Sequence, residues 1–267
     1  MKQAIVGIMV AVLPLALGVS ATAQTGTPVP SLAALDDIMQ QALQRYGVHG
    51  GALAVIKDGR LVFARGYGLG DVAARVPVQP ESLFRWESMS KTVTAAAIMR
   101  LVEDGKLNLD APVFNILNQY SPYNGRWGDG RLSGITVRQL LQHTAGWDRL
   151  VSSQADPVDG EGTVLAATAT GSAFPPSIDT VIRYMLAQRL DFTPGTRWGY
   201  SPFGYELLGR VIEKVSGQSY VAYVRQAILD PEGLSSVQKG SSHLSGRLAG
   251  EVKYYDYPCA PLIRSYV

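Results

Sequence analysis

Apolar residues recur every three or four positions over residues 31–46, which predicts an amphipathic helix. Its apolar stripe consists of Leu32, Leu35, Ile38, Met39, Ala42 and Leu43. Two apolar runs follow, at 52–56 and 61–64, with Lys57-Asp58-Gly59-Arg60 between them. Because Asp-Gly between two apolar strands is a strong turn signal, this pattern predicts a β-hairpin.

A longer apolar pattern starts at Ser88 and predicts a largely buried helix. Residues 92–102 are rich in apolar side chains and contain neither Gly nor Pro, and Gly105 marks the end. Ser88 and Lys91 are three positions apart, so a helix places both side chains on one face. A serine hydroxyl is a weak nucleophile at neutral pH, and a lysine amine beside it can accept its proton. An ordinary helix N-cap is the alternative role for Ser88.

The same Ser-x-x-Lys spacing occurs a second time, at Ser236 and Lys239. These residues lie among Pro231, Gly233 and Gly240, in a turn-rich stretch where side chains three apart need not converge. We therefore expect only the match at Ser88 to carry chemistry.

Tyr200 is placed at the start of a further predicted helix. Pro194 and Gly195 open a turn, and residues 203–216 form a helical pattern that ends at Gly217. A phenol at this position could lose its proton beside a lysine and act as a general base. A buried tyrosine with one satisfied hydroxyl is the alternative, since the chain has 13 tyrosines.

Three segments together resemble the serine β-lactamase and penicillin-binding-protein superfamily, in its branch of class C β-lactamases, D-amino-peptidases and esterases. They are LFRWESMSKT at 83–92, LLQHTAG at 140–146 and PGTRWGYSPFGYELLG at 194–209. The resemblance implies that Ser88 is the acyl-accepting nucleophile, that Lys91 is its partner, and that Tyr200 begins the family's Tyr-x-Asn motif. It also implies an α+β fold of the β-lactamase/DD-peptidase type, with an antiparallel sheet flanked by helices and a mainly helical region.

The chain departs from the family pattern in two places. Pro202 stands where the family usually has Asn, so the carboxamide that would bond Lys91 and a substrate amide is absent. The first turn of a helix tolerates proline, and the loss favours esters over amides as substrates. No Lys-Thr-Gly-like triplet follows Tyr200, although in the family the strand with that triplet supplies half of the oxyanion hole.

The predicted hairpin needs further strands, because a two-stranded ribbon is marginal in water. No convincing strand follows it in the sequence, so we expect the family's C-terminal sheet strands to be missing. Residues 24–267 are then an incomplete serine hydrolase domain, and we expect this chain by itself to be neither stably folded nor active.

The N-terminal residues predict a secretory signal peptide at 1–23. Lys2 precedes an apolar run at 4–19, and Ala21-Thr22-Ala23 offers small residues for cleavage. An uncleaved anchor is the alternative, but the run is shorter than the ~20 residues of a spanning helix. We expect a periplasmic or secreted protein with no stable membrane span after cleavage, and a short flexible lead at 25–30.

Composition narrows the possible partners and cofactors. With a net charge of +2 and 17% charged residues, the chain lacks the basic stripe of a nucleic-acid-binding protein. Its three histidines are scattered and Cys259 is its single cysteine, so no metal-ligand spacing and no internal disulfide are expected. We expect no cofactor, and the family resemblance implies a small molecule or a cell-wall peptide as the substrate.

Several Gly and Pro residues at 152–177 predict a mobile surface loop, with a loop over the active-site mouth as the alternative. His143 follows a short helix that begins near Thr136, and it is expected to fix loop structure by hydrogen bonds rather than to take part in chemistry. Trp147 and Trp198 could either line an apolar substrate pocket or belong to the core.

These patterns predict a secreted serine hydrolase that forms an acyl-enzyme on Ser88, while Lys91 and Tyr200 move protons. The backbone N–H of Ser88 is expected to supply one oxyanion donor. Candidate substrates are esters, β-lactams and D-amino-acid peptides. The alternative is a catalytically impaired or non-catalytic relative that binds peptidoglycan or a partner, as Pro202 and the absent triplet suggest.

Overall fold

The described part of the chain divides into two units, and the predicted hairpin lies in the first of them. The computed structural model describes residues 23–151, 161–241 and 243–255. Within these residues, the first unit contains the chain up to Arg85 and from Gly240 onward, and the second is Trp86–Lys239. The predicted signal peptide at 1–23 lies, apart from Ala23, outside the described residues.

The first unit is built on an antiparallel sheet. In the described residues its strands are β1 (Gln24–Thr25), β2 (Gly50–Lys57), β3 (Arg60–Asp71) and β4 (Val76–Pro77). β3 pairs with each of the other three strands. At the β2–β3 turn, Asp58 and Gly59 have φ angles of 53° and 73°, as a two-residue type I′ turn requires. The hairpin prediction is therefore confirmed.

β3 is longer than the apolar pattern predicts, because it continues beyond Ala64 through a glycine-rich stretch. At Gly66 an added Cβ would lie 2.2 Å from the carbonyl oxygen of Val78. At Gly68, where φ is +66°, it would lie 2.2 Å from the carbonyl oxygen of His49. These glycines keep the strand intact where neighbouring backbone approaches closely.

The first predicted helix is confirmed as α1 (Ala33–Tyr46), which follows a 3₁₀ turn at Pro30–Leu32. The stripe of α1 packs on the sheet in a small apolar cluster whose members include Leu35, Met39, Leu43, Phe63 and Tyr67. Ile38, also in the predicted stripe, is 58% exposed.

A buried polar contact also joins α1 to the sheet. The carboxylate of Asp36 accepts from Arg65 Nη1 at 3.1 Å and from Tyr67 Oη at 2.7 Å. Arg65 Nη2 reaches Gln24 of β1 at 3.1 Å, which ties the start of the described chain to the same cluster. The flexible lead expected at 25–30 is therefore wrong at both ends, since Thr25 pairs in β1 and Pro30 begins the 3₁₀ turn.

The segment 243–255 packs within the first unit. The backbone N–H of Lys253 donates to the carbonyl oxygen of Gly70 at 2.7 Å. The side chain of Lys253 lies 2.8 Å from the carboxylate of Asp71. The hydrogen bond from Lys253, followed by that from the backbone N–H of Ala74, lowers the pKa of Asp71 to about 2.

The second unit is the mainly helical region that the resemblance implies. Its helices are α2 (Ser90–Glu103), α3 (Val113–Ile116), α4 (Val137–Leu141), α5 (Glu161–Thr170), α6 (Ile178–Leu186), α7 (Pro202–Ser216) and α8 (Tyr220–Val224). They surround one apolar core, in which Ile98 and Leu101 of α2 and Phe203 and Leu207 of α7 are inaccessible to solvent. None of the helices in the described part of the chain has the length and apolar character needed to traverse a bilayer.

The predicted helix boundaries in this unit agree closely with the structure. Gly105 and Gly217 adopt left-handed conformations, with φ of 71° and 70°, just after α2 and at the end of α7. α4 begins after Thr136, which forms a capping box with Gln139. The expected antiparallel sheet with helices and a mainly helical region is thus confirmed.

The loop prediction for residues 152–177 is wrong over α5. Within α5, residues 165–167 combine the good helix formers Leu and Ala with a buried face, since Ala166 is inaccessible to solvent. At the end of this stretch, Ser177 caps α6 by accepting a hydrogen bond from the backbone N–H of Thr180. The part of the predicted loop at 152–160 lies outside the described residues.

Candidate active site

Ser88 lies in a 3₁₀ turn, Glu87–Met89, directly before α2. The pattern predicted that the helix begins at Ser88, whereas α2 begins at Ser90. Glu87 has a φ of 44°, a left-handed value that non-glycine residues rarely adopt. The strained turn holds the Ser88 side chain at the surface, and Lys91 follows in the first turn of α2.

The structure brings the three predicted site residues together. Ser88 Oγ and Tyr200 Oη are 2.7 Å apart, a hydrogen-bond distance. Lys91 Nζ donates to Ser88 Oγ at 3.3 Å and lies 5.2 Å from the centroid of the Tyr200 ring. A hydroxyl, a phenol and an amine thus share one small volume, as nucleophile activation by a neighbouring base requires.

The loop before α7 holds Tyr200 in place. The backbone N–H of Arg149 donates to the Tyr200 carbonyl oxygen at 3.1 Å. Gly199 packs so tightly that an added Cβ would lie 2.8 Å from Cε1 of Phe192. Ser201 caps α7, and Pro202 occupies the first helical turn as predicted.

The charges around Tyr200 favour its phenolate form. Burial raises the pKa of Tyr200, but four opposing contributions together hold it below the ordinary value of 10.0. They are the hydrogen bonds from Lys91 and Ser88 and the positive charges of Lys91 and Arg149. A phenol with a lowered pKa is better matched to proton transfer near neutral pH.

His143 and Tyr205 are two neighbours of Tyr200 whose part in the site the sequence did not predict. The ring centroid of His143 lies 4.8 Å from that of Tyr200 and 5.0 Å from that of Tyr205. Lys91 Nζ lies 5.7 Å from the centroid of the Tyr205 ring. We call His143, Tyr200 and Tyr205 the aromatic stack. The residues of the stack come from two segments far apart in the chain, the loop after α4 and the start of α7, so local spacing carries no signal for their contact.

Glu206 is a second feature of the site that the sequence reasoning missed. It follows Tyr205 on α7, where burial raises its pKa and the positive charges of Arg210 and Lys91 oppose that rise. A single carboxylate in the otherwise apolar run from Phe203 to Gly209 is the signal that could have identified it.

The remaining candidates from the sequence lie either in the core or at the surface. Trp147 is buried and its ring lies 4.9 Å from that of Phe203, so it belongs to the core. Trp198 is 60% exposed, and its ring lies 6.4 Å from that of Tyr200. Ser236 lies outside any helix, which agrees with the expectation that the second Ser-x-x-Lys match lacks site geometry.

The site thus places a serine beside a lysine and a tyrosine, just before a largely buried helix of an α+β fold. The family model described as Beta-lactamase matches residues 35–242. The chain therefore belongs to the Beta-lactamase family, as the sequence resemblance predicted.

One of the proteins that this chain is similar to is named as an esterase. Esterase EstB of Burkholderia gladioli is 33% identical over 208 residues, which are 76% of this chain and 50% of the esterase. The octameric penicillin-binding protein homologue from Pyrococcus abyssi is 32% identical, with a TM-score of 0.61 over 76% of this chain and 43% of the homologue. EstCE1, a hydrolase with promiscuous acyltransferase activity, is 25% identical, with a TM-score of 0.62 over 84% of this chain and 59% of EstCE1. The chain thus spans about half the length of these relatives.

Proposed function

We propose that the full-length protein is a serine hydrolase that acts through an acyl-enzyme on Ser88. The observation that carries this proposal is the distance of 2.7 Å between Ser88 Oγ and Tyr200 Oη, with Lys91 Nζ 3.3 Å from the same oxygen. A base in hydrogen-bond reach of a nucleophile is the geometric requirement for general-base catalysis.

In the acylation step, the Tyr200 phenolate accepts the Ser88 hydroxyl proton while Oγ attacks the ester carbonyl carbon. The carbonyl electron pair moves onto the oxygen, where the backbone N–H of Ser88 donates one stabilising hydrogen bond. Collapse of this intermediate re-forms the carbonyl and breaks the bond to the alcohol, which leaves with the proton from Tyr200. Lys91 keeps a positive charge beside the phenolate.

In the deacylation step, Tyr200 accepts a proton from water, whose oxygen attacks the acyl carbon. Breakage of the bond to Ser88 Oγ then releases the carboxylic acid, and Tyr200 returns the proton to Ser88. The same three side chains thus serve both half-reactions, and no external cofactor is needed to balance them.

Among esters, β-lactams and D-amino-acid peptides, we propose esters as the preferred substrates. Pro202 provides no carboxamide to hold a substrate amide, and an ester places no demand on one. The names of EstB and EstCE1, an esterase and a hydrolase with acyltransferase activity, agree with this choice.

The substrate preference is tested by Pro202→Asn, which restores the family residue at the first turn of α7. We expect the variant to raise kcat/KM for benzylpenicillin relative to p-nitrophenyl butyrate by about tenfold, the worth of one recovered hydrogen bond to substrate. Both substrates are measured with both proteins. A native protein that already turns over benzylpenicillin much faster than the ester would contradict the preference for esters.

The nucleophile is tested by comparing Ser88→Ala with Ser236→Ala, its counterpart in the second Ser-x-x-Lys match. We expect the first variant to lose at least about 10³-fold in kcat/KM for p-nitrophenyl butyrate, because no oxygen remains to be acylated. The second should match the native protein. If native protein binds cell-wall fragments but shows no turnover above Ser88→Ala, the non-catalytic alternative replaces this proposal.

We also propose that the protein acts outside the cytoplasm. The predicted signal peptide supports export to the periplasm or the medium. No nucleic acid or resident cofactor enters the proposed reaction.

A further inference from the structure

One histidine holds the backbone on both sides of Tyr200. The carbonyl oxygen of His143 accepts from the backbone N–H of Gly199 at 2.9 Å. Its side-chain Nδ1 accepts from the backbone N–H of Ser201 at 3.2 Å. His143 itself has a φ of 56°, an unusual value for a non-glycine residue. In this conformation its carbonyl oxygen and its ring both face the loop that contains Tyr200.

The ring of His143 also contacts the ring of Tyr200, the residue between Gly199 and Ser201. It lies 4.8 Å from Tyr200 and 5.0 Å from Tyr205, centroid to centroid, within the range of favourable aromatic contacts. Tyr205 is fixed in turn, because its hydroxyl donates to the carbonyl oxygen of Leu141 at 3.0 Å. The aromatic stack therefore restrains the Tyr200 ring from α7 and from the loop after α4.

The contacts of His143 require a neutral imidazole. Nδ1 can accept from Ser201 only when it carries no proton, so the ring proton is on Nε2. Among the described residues, the charged and titratable groups found around His143 are Lys91 of α2, Tyr205 of α7, and Tyr200. Burial, and then the positive charge of Lys91, lower the pKa of His143 and favour this neutral form.

We propose that His143 is a positioning residue, which sets the phenol of Tyr200 at hydrogen-bond distance from Ser88. This inference rests on the proposed function. His143 does not itself bond Ser88, whose side-chain partners are Tyr200 and Lys91. Protonation of His143 would put a donor against the Ser201 N–H and a second cation beside Lys91, so the Tyr200 phenol would move and acylation would slow.

Two substitutions separate the acceptor of His143 from its ring. His143→Asn keeps a side-chain oxygen near the position of Nδ1 and cannot titrate, whereas His143→Phe keeps an aromatic ring without an acceptor. The exposed His243→Phe is the matched control. The measurement is the second-order rate at which a fluorophosphonate labels Ser88, forming the Oγ–P bond with loss of fluoride, together with kcat and KM for p-nitrophenyl butyrate.

We expect His143→Phe to lower the labelling rate and kcat by about 10²-fold with little change in KM, as misplacement of a catalytic group by about 1 Å does. His143→Asn should be at least about tenfold faster than His143→Phe. In the native protein the rate should fall more steeply with decreasing pH once His143 protonates, and His143→Asn should lack that steeper part.

Two results would overturn this inference while the proposed function stands. One is a His143→Phe protein that has the same Tm as the native protein and is labelled at Ser88 at the native rate. The other, which decides the matter even if His143→Phe does not fold, is an unchanged pH profile in His143→Asn. Fluorophosphonate labelling that persists in Ser88→Ala would instead contradict the proposed function itself.

Discussion

At the scale of single residues, the proposed chemistry depends on whether Tyr200 is a phenol or a phenolate next to Ser88. Burial alone would favour the neutral phenol, yet the hydrogen bonds and positive charges around it lower its pKa below 10.0. Proton transfer at a distance of 2.7 Å then needs no movement of either side chain. Tyr200 therefore has the position and the charge environment of a general base.

Removal of the Tyr200 hydroxyl tests this assignment. Tyr200→Phe should lower kcat/KM for ester hydrolysis by about 10²–10⁴-fold, because the base is lost while the ring remains. Since a lowered pKa makes the phenolate form available at lower pH, the native rate should rise with pH through that pKa, and the variant should show no such rise. The measurement is a pH–rate profile from pH 6 to 10.

Tyr205→Phe provides the control for that profile. It removes a hydroxyl that bonds the carbonyl oxygen of Leu141 and leaves the ring in the aromatic stack. We expect a loss of less than about tenfold and an unchanged dependence on pH. An equal loss in both variants would mean that removal of either hydroxyl disturbs the site, and it would contradict the specific role of Tyr200 as the base.

The residues of the site differ in how far the sequence could identify them. Ser88 and Lys91 are close in sequence, so their convergence follows from helix geometry. Tyr200 was identified by its place before a helix and by family resemblance. His143 was expected to fix loop structure, but its contact with Tyr200 depends on how α4 and α7 pack, and local patterns do not report that packing.

At the scale of elements, the attachment of α1 to the sheet depends on one buried polar contact. The apolar cluster beneath α1 is small, and Asp36 adds an ion pair with Arg65 and a hydrogen bond from Tyr67. Burial, and then the hydrogen bond to Asp36, raise the pKa of Tyr67 and keep it a donor.

Asp36→Ala should destabilise the protein by about 3–5 kcal/mol, because it leaves the guanidinium of Arg65 buried without its carboxylate. Asp37→Ala is the matched control, since Asp37 is exposed on the same helix. Urea unfolding of both variants measures the difference in free energy. Equal stability of the two variants would show that the apolar stripe alone holds α1.

Elements with strong local signals were predicted well, and elements that depend on distant partners were not. The hairpin turn at Asp58-Gly59 and the helix ends at Gly105 and Gly217 have residues whose backbone preferences determine the structure locally. The continuation of β3 through Gly66 was missed because those glycines serve close contacts with residues far along the chain. α5 was missed because nearby glycines and prolines obscured a short helical run.

At the scale of the whole molecule, each unit has its own apolar cluster, and all three site residues lie in the second unit. The fold class followed from the resemblance, and the family match over residues 35–242 supports it. That further strands complete the sheet stays a prediction, since within the described residues the sheet consists of β1 to β4. The relatives are about twice as long as the matched segment, so the activity is proposed for the full-length protein.

The most direct test of the account is the site at which a fluorophosphonate attaches to the full-length protein. Mass spectrometry of the intact protein and of its peptides should show a single adduct on Ser88, absent from Ser88→Ala and present in Ser236→Ala. An adduct on another residue, or one that persists in Ser88→Ala, would contradict the assignment of Ser88 as the nucleophile.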